Sequence, residues 1–538
     1  NLVDYGHWCT ANDCSAFNED IAVVPNVGTN KYYGRLQVQR AFDEVTATEE
    51  SAAITIDGGD YSLATISAVS DDLTVTCTEV EDAGNFTNFT AGLTIAASNV
   101  DFTNCKFAST VAVNDINSSF TNGNITGALT IGAATTLIDN VTVSSTIAVN
   151  AANATIQNSD LNATVTISAT GASITGNTYS LAGGDIGITS PNTTGGYASL
   201  SVTNNSFASS NAAAYTGIDL KDDFVGGTLT LTNNDMTSPV TTGIKVASGT
   251  ATITNSEIDS NETGVGIHLT GGAAHRIGST GNPNTLTDLA SAITIDNTLD
   301  ASTLIIEFNK ITSNTVGITN SDDAIATAYK NWWGADSEPN ALVNDVNLVN
   351  YGHWCTAVGC AAFNEDIAVD LAGNGGGNDR FYGRAQVERA FDEITAQATA
   401  TLDGGDFALA SISDVSDDLT VTCTDTEDAG NYTNFTSALT IAGANVDFTD
   451  CKFASTVAVN DINSSFTNGS ITGALTIGAA TTLVNNVAVG STIAINAANA
   501  TIQNSTVTGA TTISGDNAIL EATTFNSPID VKANNAII

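Results

Sequence analysis

The chain is poor in positive charge. Its 538 residues include 14 Lys and Arg against 57 Asp and Glu, a formal net charge of −43. Nucleic acids and anionic membranes are bound through clustered Lys and Arg, which argues against both as partners. The acidic excess favours bound cations, a saline setting or a strongly solvated secreted surface. Aromatic residues make up only 6% of the chain while Thr, Asn, Ala and Ser abound, a composition that alone would read as disorder. No run of eighteen apolar residues occurs, so no segment spans a bilayer as a helix. The chain opens at Asn1 without Met or a signal sequence and stops at Ile538 in mid-pattern. It therefore reads as a mature product or a piece of something longer.

What is present is a period, and it overrules the disordered reading. An apolar residue returns every eighteenth position in Leu93, Val111, Leu129, Ile147 and Val165, and two residues later in Ile95, Val113, Ile131, Val149 and Ile167. A second face runs through Phe102, Phe120, Ile138, Ile156 and Ile174, and a third through Phe107, Ile125, Val143, Leu161 and Tyr179. Three short alternating runs per period, rich in Thr and β-branched residues, predict strands that stack as coils sharing one core. Asn104, Asn122, Asn140 and Asn158 form a polar column between two faces, expected to be an amide ladder inside the turn. The predicted fold is all-β, a right-handed parallel β-helix.

The period is duplicated on a larger scale. Residues 1–14 recur at 347–360, and 105–123 recur unchanged at 451–469. Cys9, Cys14, Cys77 and Cys105 return 346 residues later as Cys355, Cys360, Cys423 and Cys451. An even, duplicated set points to an oxidising, extracellular compartment and to the bonds Cys9–Cys14, Cys77–Cys105, Cys355–Cys360 and Cys423–Cys451; buried free thiols are the alternative. Residues 33–48 place Leu36, Val38, Ala41, Phe42 and Val45 near helical spacing, and a copy begins at Tyr382. A short helix there would cap the first coil, whose edge and core are otherwise exposed.

The segment Asn331-Trp332-Trp333-Gly334 with Pro339, followed by Val349-Asn350-Tyr351-Gly352-His353-Trp354, resembles the closing segment of NosD-like and pectate-lyase-like right-handed β-helices. That resemblance implies that it seals a last coil, and that residues 1–14 close a preceding unit. The expected division is a closing tail at 1–25, linker and capping helix at 26–52, and β-helix unit 1 at 53–346. A second tail at 347–372, linker and capping helix at 373–398 and an incomplete unit 2 at 399–538 then follow. Between Leu200 and Asn320 the rungs lengthen and begin with Gly217-Ile218, Gly243-Ile244, Gly266-Ile267 and Gly317-Ile318. Loops there would carry any binding surface.

The superfamily includes polysaccharide lyases, which need a Lys or Arg base near acidic calcium ligands, and hydrolases, which need paired carboxylates on adjacent coils. Neither cluster is evident. Lys221-Asp222-Asp223 and Asp322-Asp323 read as solvated loops, and His268 and His275 as structural. His7, Cys9 and Cys14 have zinc-like spacing without a fourth ligand. Calcium suits the acidic turns Asp57, Asp60, Asp71 and Asp72 and their copies Asp403, Asp406, Asp417 and Asp418. Among many sequons the duplicated Asn85, Asn88, Asn431 and Asn434 are the best candidates for glycosylation, while Asn140 is expected to lie inside and carry no sugar. The resulting expectation is a structural protein and no enzyme: an extracellular filament, sheath or surface layer of tandem units. Its partners would be identical subunits or further units, head-to-tail, with no cofactor required beyond possible calcium. The alternative is an adhesin binding glycans through coils 200–320.

Overall fold

The computed structural model describes residues 23–25, 31–32, 34–46, 51–67, 72–78, 87–193, 196–357, 359–364, 367–374, 378–413, 418–424 and 432–538. Three short strands make each coil: Val100–Thr103, Lys106–Phe107 and Val111–Val113, then Ser119–Thr121, Asn124–Ile125 and Leu129–Ile131. Each strand pairs in parallel with its counterpart eighteen residues on, Phe102 with Phe120, Phe107 with Ile125 and Val111 with Leu129. Stacking of the three positions gives three parallel sheets, called here first, second and third in that order. The architecture is an all-β right-handed parallel β-helix in two compact units. One comprises Asn1–Thr327, Asn331–Gly334 and Leu342–Asn344, and the other Ala328–Lys330, Ala335–Ala341 and Asp345–Ile538.

In the first unit the predicted columns form the core. Leu93, Val111, Leu129, Ile147 and Val165 are each at most 1% exposed. Burial of each such side chain contributes about 1.5–3 kcal/mol, enough in sum to hold coils that have little hydrogen bonding within themselves. Phenylalanines fill the widest part: Phe89 stacks on Phe107 and Phe102 on Phe120, both at 5.2 Å between centroids, and Phe102 meets Phe107 edge-on at 5.3 Å. The second unit repeats this quartet in Phe435, Phe448, Phe453 and Phe466.

Each unit begins with a cap of two parts. The predicted helix is Val38–Thr46, preceded by a 3-10 turn at Arg35–Gln37. Val38, Ala41, Phe42 and Val45 are buried, but Leu36 falls in the 3-10 turn and is 71% exposed. The tighter turn rotates Leu36 off the apolar stripe. The second part is an antiparallel strand, Val23–Pro25, laid on the edge of Ala52–Ile56; the second unit has Val369–Ala372 on Ala398–Leu402. An added strand satisfies the edge groups of the first coil, which a helix alone cannot do. At the other end of the first unit's coils, Trp332 bridges Lys310 in parallel and Trp333 is 3% exposed against Gly317.

The turn column corrects an expectation. Asn104, Asn122, Asn140 and Asn158 occupy the same place in successive coils, yet all four are exposed. Their φ values of 61°, 54°, 54° and 51° are left-handed. Strand alternation would send each inward after Thr103 or its equivalent; a left-handed residue breaks that alternation and turns the side chain out. Asn140 still donates to Asn122 at 2.6 Å, but in solvent, so burial does not bar it from glycosylation.

The residue after this column is the one that points in. In the longer rungs it is a buried ladder. Asn177 Nδ2 donates to Asn205 Oδ1 at 3.0 Å and Asn205 Nδ2 to Asn234 Oδ1 at 3.0 Å. Asn284 then donates to Asn309 at 2.8 Å, and Asn309 to Asn331 at 2.9 Å. Each amide also caps a backbone carbonyl of its neighbouring coil, as Asn309 does at Ile277 O, 2.9 Å.

In the first of the regular coils that inward slot is taken by Cys105, bonded to Cys77 of the preceding coil; Cys423–Cys451 repeats the bond and Cys355–Cys360 closes a short loop. Cys9 and Cys14 lie outside the described residues. Removing Cys77–Cys105 and Cys423–Cys451 by Ser substitution is expected to lower stability by about 2–4 kcal/mol per bond, since each closes a 28-residue separation. Denaturant midpoints of the single and double variants check this. Among the described residues no helix is long and apolar enough to cross a membrane.

Candidate active site

The longer rungs of the first unit place functional side chains on the outer face of the third sheet. The strands Tyr215–Leu220, Val240–Val246, Val265–Leu269 and Ser291–Ile295 are in register, with Asp219 beside Lys245, Lys245 beside His268 and His268 beside Thr294. Parallel neighbours of this kind are about 4.8 Å apart. The row is held outward by what precedes it. Ile218, Ile244 and Ile267 are fully buried, so the following residue must face away. The preceding glycines let the rungs approach: a Cβ at Gly243 would lie 2.6 Å from Gly266 O and 2.7 Å from Ile258 Cδ1.

His268 is set by a carboxylate. Its Nε2 lies 2.9 Å from Asp296 Oδ1, with side-chain exposures of 24% and 40%. Such a partner fixes ring orientation and tautomer, leaving the other ring nitrogen to do chemistry. At the far end of the row, Asp219 Oδ1 is buried and has no hydrogen-bond partner. A buried carboxylate oxygen left unsatisfied is costly and rare, and it stands next to the strand that carries Lys245. The row thus assembles a cation and an oriented imidazole on adjoining rungs, with a carboxylate beside the cation.

His275 has the structural role expected of it. It is fully buried, its Nδ1 accepts from Ala251 N at 3.0 Å and its Nε2–H donates to Gly271 O at 2.8 Å. Burial pushes its pKa below the usual value, against a smaller opposing pull from the Gly271 carbonyl. As pH falls below about 6.5 the unfolded chain therefore takes up the proton first, and stability declines towards the folded pKa. Melting temperatures between pH 7 and pH 5 should fall, and more steeply for the native chain than for His275→Gln.

Several of the other acidic candidates are bonded within the fold. Asp223 is buried and accepts from Asn192 N at 2.8 Å, so it is no solvated loop acid; its carboxylate ties down a neighbouring segment. Asp322 accepts from Ala301 N and Ala324 N, at 3.0 and 3.2 Å. Of the acidic turns, Asp60 accepts from Asn88 and Asp406 from Asn434, each at 2.8 Å, and Asp403 meets Arg384 at 3.0 Å. Gly59, at φ 128°, is a position only glycine fits, because Arg35 Nε would lie 2.4 Å from a Cβ there. The guanidinium of the capping segment lies against this turn, its Nη2 donating to Gly58 O at 2.7 Å. Asp57 is half-buried, and Asp72 and Asp418 are exposed. Asp71, Asp417, Asn85 and Asn431 lie outside the described residues. Among the described residues no three His, Cys, Asp or Glu group as a metal site.

A second acidic feature lies on the second sheet, where Asp235 pairs with Glu257 across adjoining strands. The two border a groove of about 390 Å³ lined by Asn204, Asn233 and Asn255. Partial burial raises the pKa of Asp235.

No protein-family model matches the sequence, and no curated protein does. Solved structures similar to this chain include the PL6-family alginate lyase AlyGC, at a TM-score of 0.33 and 10% identity, covering 93% of this chain and 98% of that one. An arginine-to-alanine mutant of that lyase aligns at a TM-score of 0.31 and 10% identity, covering 90% and 88%. These neighbours correct the expectation of a structural filament, sheath or surface-layer protein without enzymatic activity, and the adhesin alternative is no better supported. The row on the third sheet was not legible in the sequence. Its members are 26 and 23 residues apart in sequence (219, 245, 268), so they look scattered until the rungs are stacked.

Proposed function

We propose that the chain is a polysaccharide lyase that cleaves a uronate-containing polymer by β-elimination at Asp219, Lys245 and His268. The observation that carries this reading is the placement of His268, oriented by Asp296, directly beside Lys245 on the outer face of the third sheet. Elimination requires loss of the C5 proton next to a carboxylate and departure of the C4 oxygen. The Lys245 ammonium pairs with the uronate carboxylate and stabilises the charge that builds up as C5 loses its proton. His268 takes that proton and returns it to the departing C4 oxygen, so one C–H and one C–O bond break and a C4=C5 double bond forms. Asp219, in register with Lys245 on the adjoining rung, places a negative charge beside the ammonium and orients it. The disulfides support an oxidising, extracellular setting, where such polymers occur.

Purified chain incubated with alginate, and separately with polygalacturonate, is expected to release ends that absorb in the ultraviolet through the new double bond. Absence of such product from both polymers, with and without added calcium, would sink the reading. A second reading is favoured by the Asp235–Glu257 pair, two carboxylates on adjoining rungs that border one groove, the arrangement glycoside hydrolysis requires. Reducing ends without ultraviolet absorbance, lost in Glu257→Gln, would select it.

A further inference from the structure

The chain holds a pair of equivalent grooves, one in each unit, on the second sheet beside a disulfide. In the first unit a groove of about 500 Å³ lies over Cys77 and is bordered by Lys106, Asn122 and Asn124. In the second a groove of about 530 Å³ lies over Cys423 and is bordered by Lys452, Asn468 and Ser470. These volumes fall in the range of small-ligand sites. The floor is fixed twice over. A disulfide ties the two coils beneath each groove, and Gly123 and Gly469 leave the floor bare, since a Cβ would come within 2.6 and 2.4 Å of the carbonyls of Cys105 and Cys451. A rigid recess of this kind loses little freedom when it is filled.

The chemistry of the rim is selective. In a chain with 14 basic residues and a net charge of −43, one lysine is kept in each groove, at positions 346 apart. Lys452 Nζ sits 3.4 Å from the centroid of the Tyr432 ring, which holds the ammonium at the groove edge. Around it stand amides and hydroxyls that can both donate and accept. An acidic chain repels anions except where a local cation outweighs the general field. We infer that each groove is a binding site for an acidic saccharide, the uronate carboxylate on Lys106 or Lys452 and the sugar hydroxyls on the flanking Asn and Ser side chains. The sites are separate from the row at Asp219, Lys245 and His268 and share with the elimination reading only the acidic nature of the sugar. They also differ from each other. The second groove has Asp450 where the first has Asn104, so the first binds the anion more tightly.

The test is calorimetric titration of the Lys245→Ala/His268→Ala chain, which cannot cleave, with tetragalacturonate and with a mannuronate tetrasaccharide. Two equivalents of unequal affinity are expected beyond any bound at the row. Lys106→Met/Lys452→Met, which keeps the apolar stems, should remove both while leaving the rate of polymer cleavage by the otherwise native chain within about twofold. Asp450→Asn should tighten the weaker site several-fold, a gain that misfolding cannot produce. Isotherms unchanged by either substitution overturn the inference. Loss of the two equivalents in a chain that cleaves no polymer would leave the grooves standing and remove the elimination reading. Cleavage without extra equivalents would do the opposite.

Discussion

His268→Ala will slow the release of unsaturated sugar ends by about 10²–10⁴-fold, the range that a positioned general base contributes. Lys245→Ala should cost a comparable factor, because no other cation stands on the row to meet the uronate carboxylate. Asp296 touches the reaction only through His268, so Asp296→Asn tests positioning. It should lower the rate less, and through kcat with KM unchanged, since the ring is no longer held in one orientation and tautomer. A merely structural Asp296 would lower the melting temperature without that split between kcat and KM. Initial rates by ultraviolet absorbance across pH 5–9, with melting curves as a check on folding, measure all three.

The largest expected effect on stability lies in the buried ladder. Asn284 Nδ2 donates to Ile253 O and to Asn309 Oδ1, both at 2.8 Å, and its Oδ1 accepts from Ser256 N at 3.0 Å. Leucine is of similar size and makes none of these bonds. Asn284→Leu therefore strands the Ser256 N–H in the core, at about 1–3 kcal/mol, and costs about 0.5–1.5 kcal/mol more for each bond lost at the Ile253 carbonyl and Asn309 Oδ1, which keep one donor each in Gly278 N and the residue-284 N–H. A loss of about 3 kcal/mol or more is expected in denaturant titrations. Asn122→Gly is the matched control: Asn122 is exposed at φ 54°, a conformation glycine accepts freely, so the change should stay within about 0.5 kcal/mol. Equal losses in the two variants would mean that the ladder contributes nothing.

Much of the fold is legible because the core is a column and columns appear in sequence as a period. Leu93, Val111 and Leu129 could be stacked on paper before any coordinates, and the structure pairs them as counted. The turn was misread by one residue. Two-residue alternation carries Asn104 inward, and nothing in a hydrophobicity pattern shows the left-handed φ that turns it out. The clue lies in the doubled asparagines: in Asn204-Asn205 and Asn233-Asn234 the first residue takes the left-handed turn and is exposed, and the second is buried. The outward row on the third sheet was passed over by one residue as well. Gly217-Ile218, Gly243-Ile244 and Gly266-Ile267 mark the rungs, and the residue after each pair, Asp219, Lys245 and His268, is the row itself. The antiparallel strand of each cap was not legible, because Val23–Pro25 and Val369–Ala372 are too short to carry a period of their own.

Within the coils the strand-to-strand hydrogen bonds run from each rung to the next. Even the longest reaches of the asparagine ladder, Asn234 to Val202 and Asn309 to Ile277, span 32 residues. A rung therefore depends on its two neighbours and on nothing farther along the chain. Length is consequently a free variable of this architecture. Excision of residues 129–146 would set Ile147 against Val111 and Ile156 against Phe120, apolar on apolar, and every other contact would close over the gap. Removing one residue fewer would turn each inward side chain downstream to face its neighbours out of register. Whole rungs can thus be lost, gained or exchanged between the two units as interchangeable parts, while the distance between any two surface sites is set in steps of about 4.8 Å.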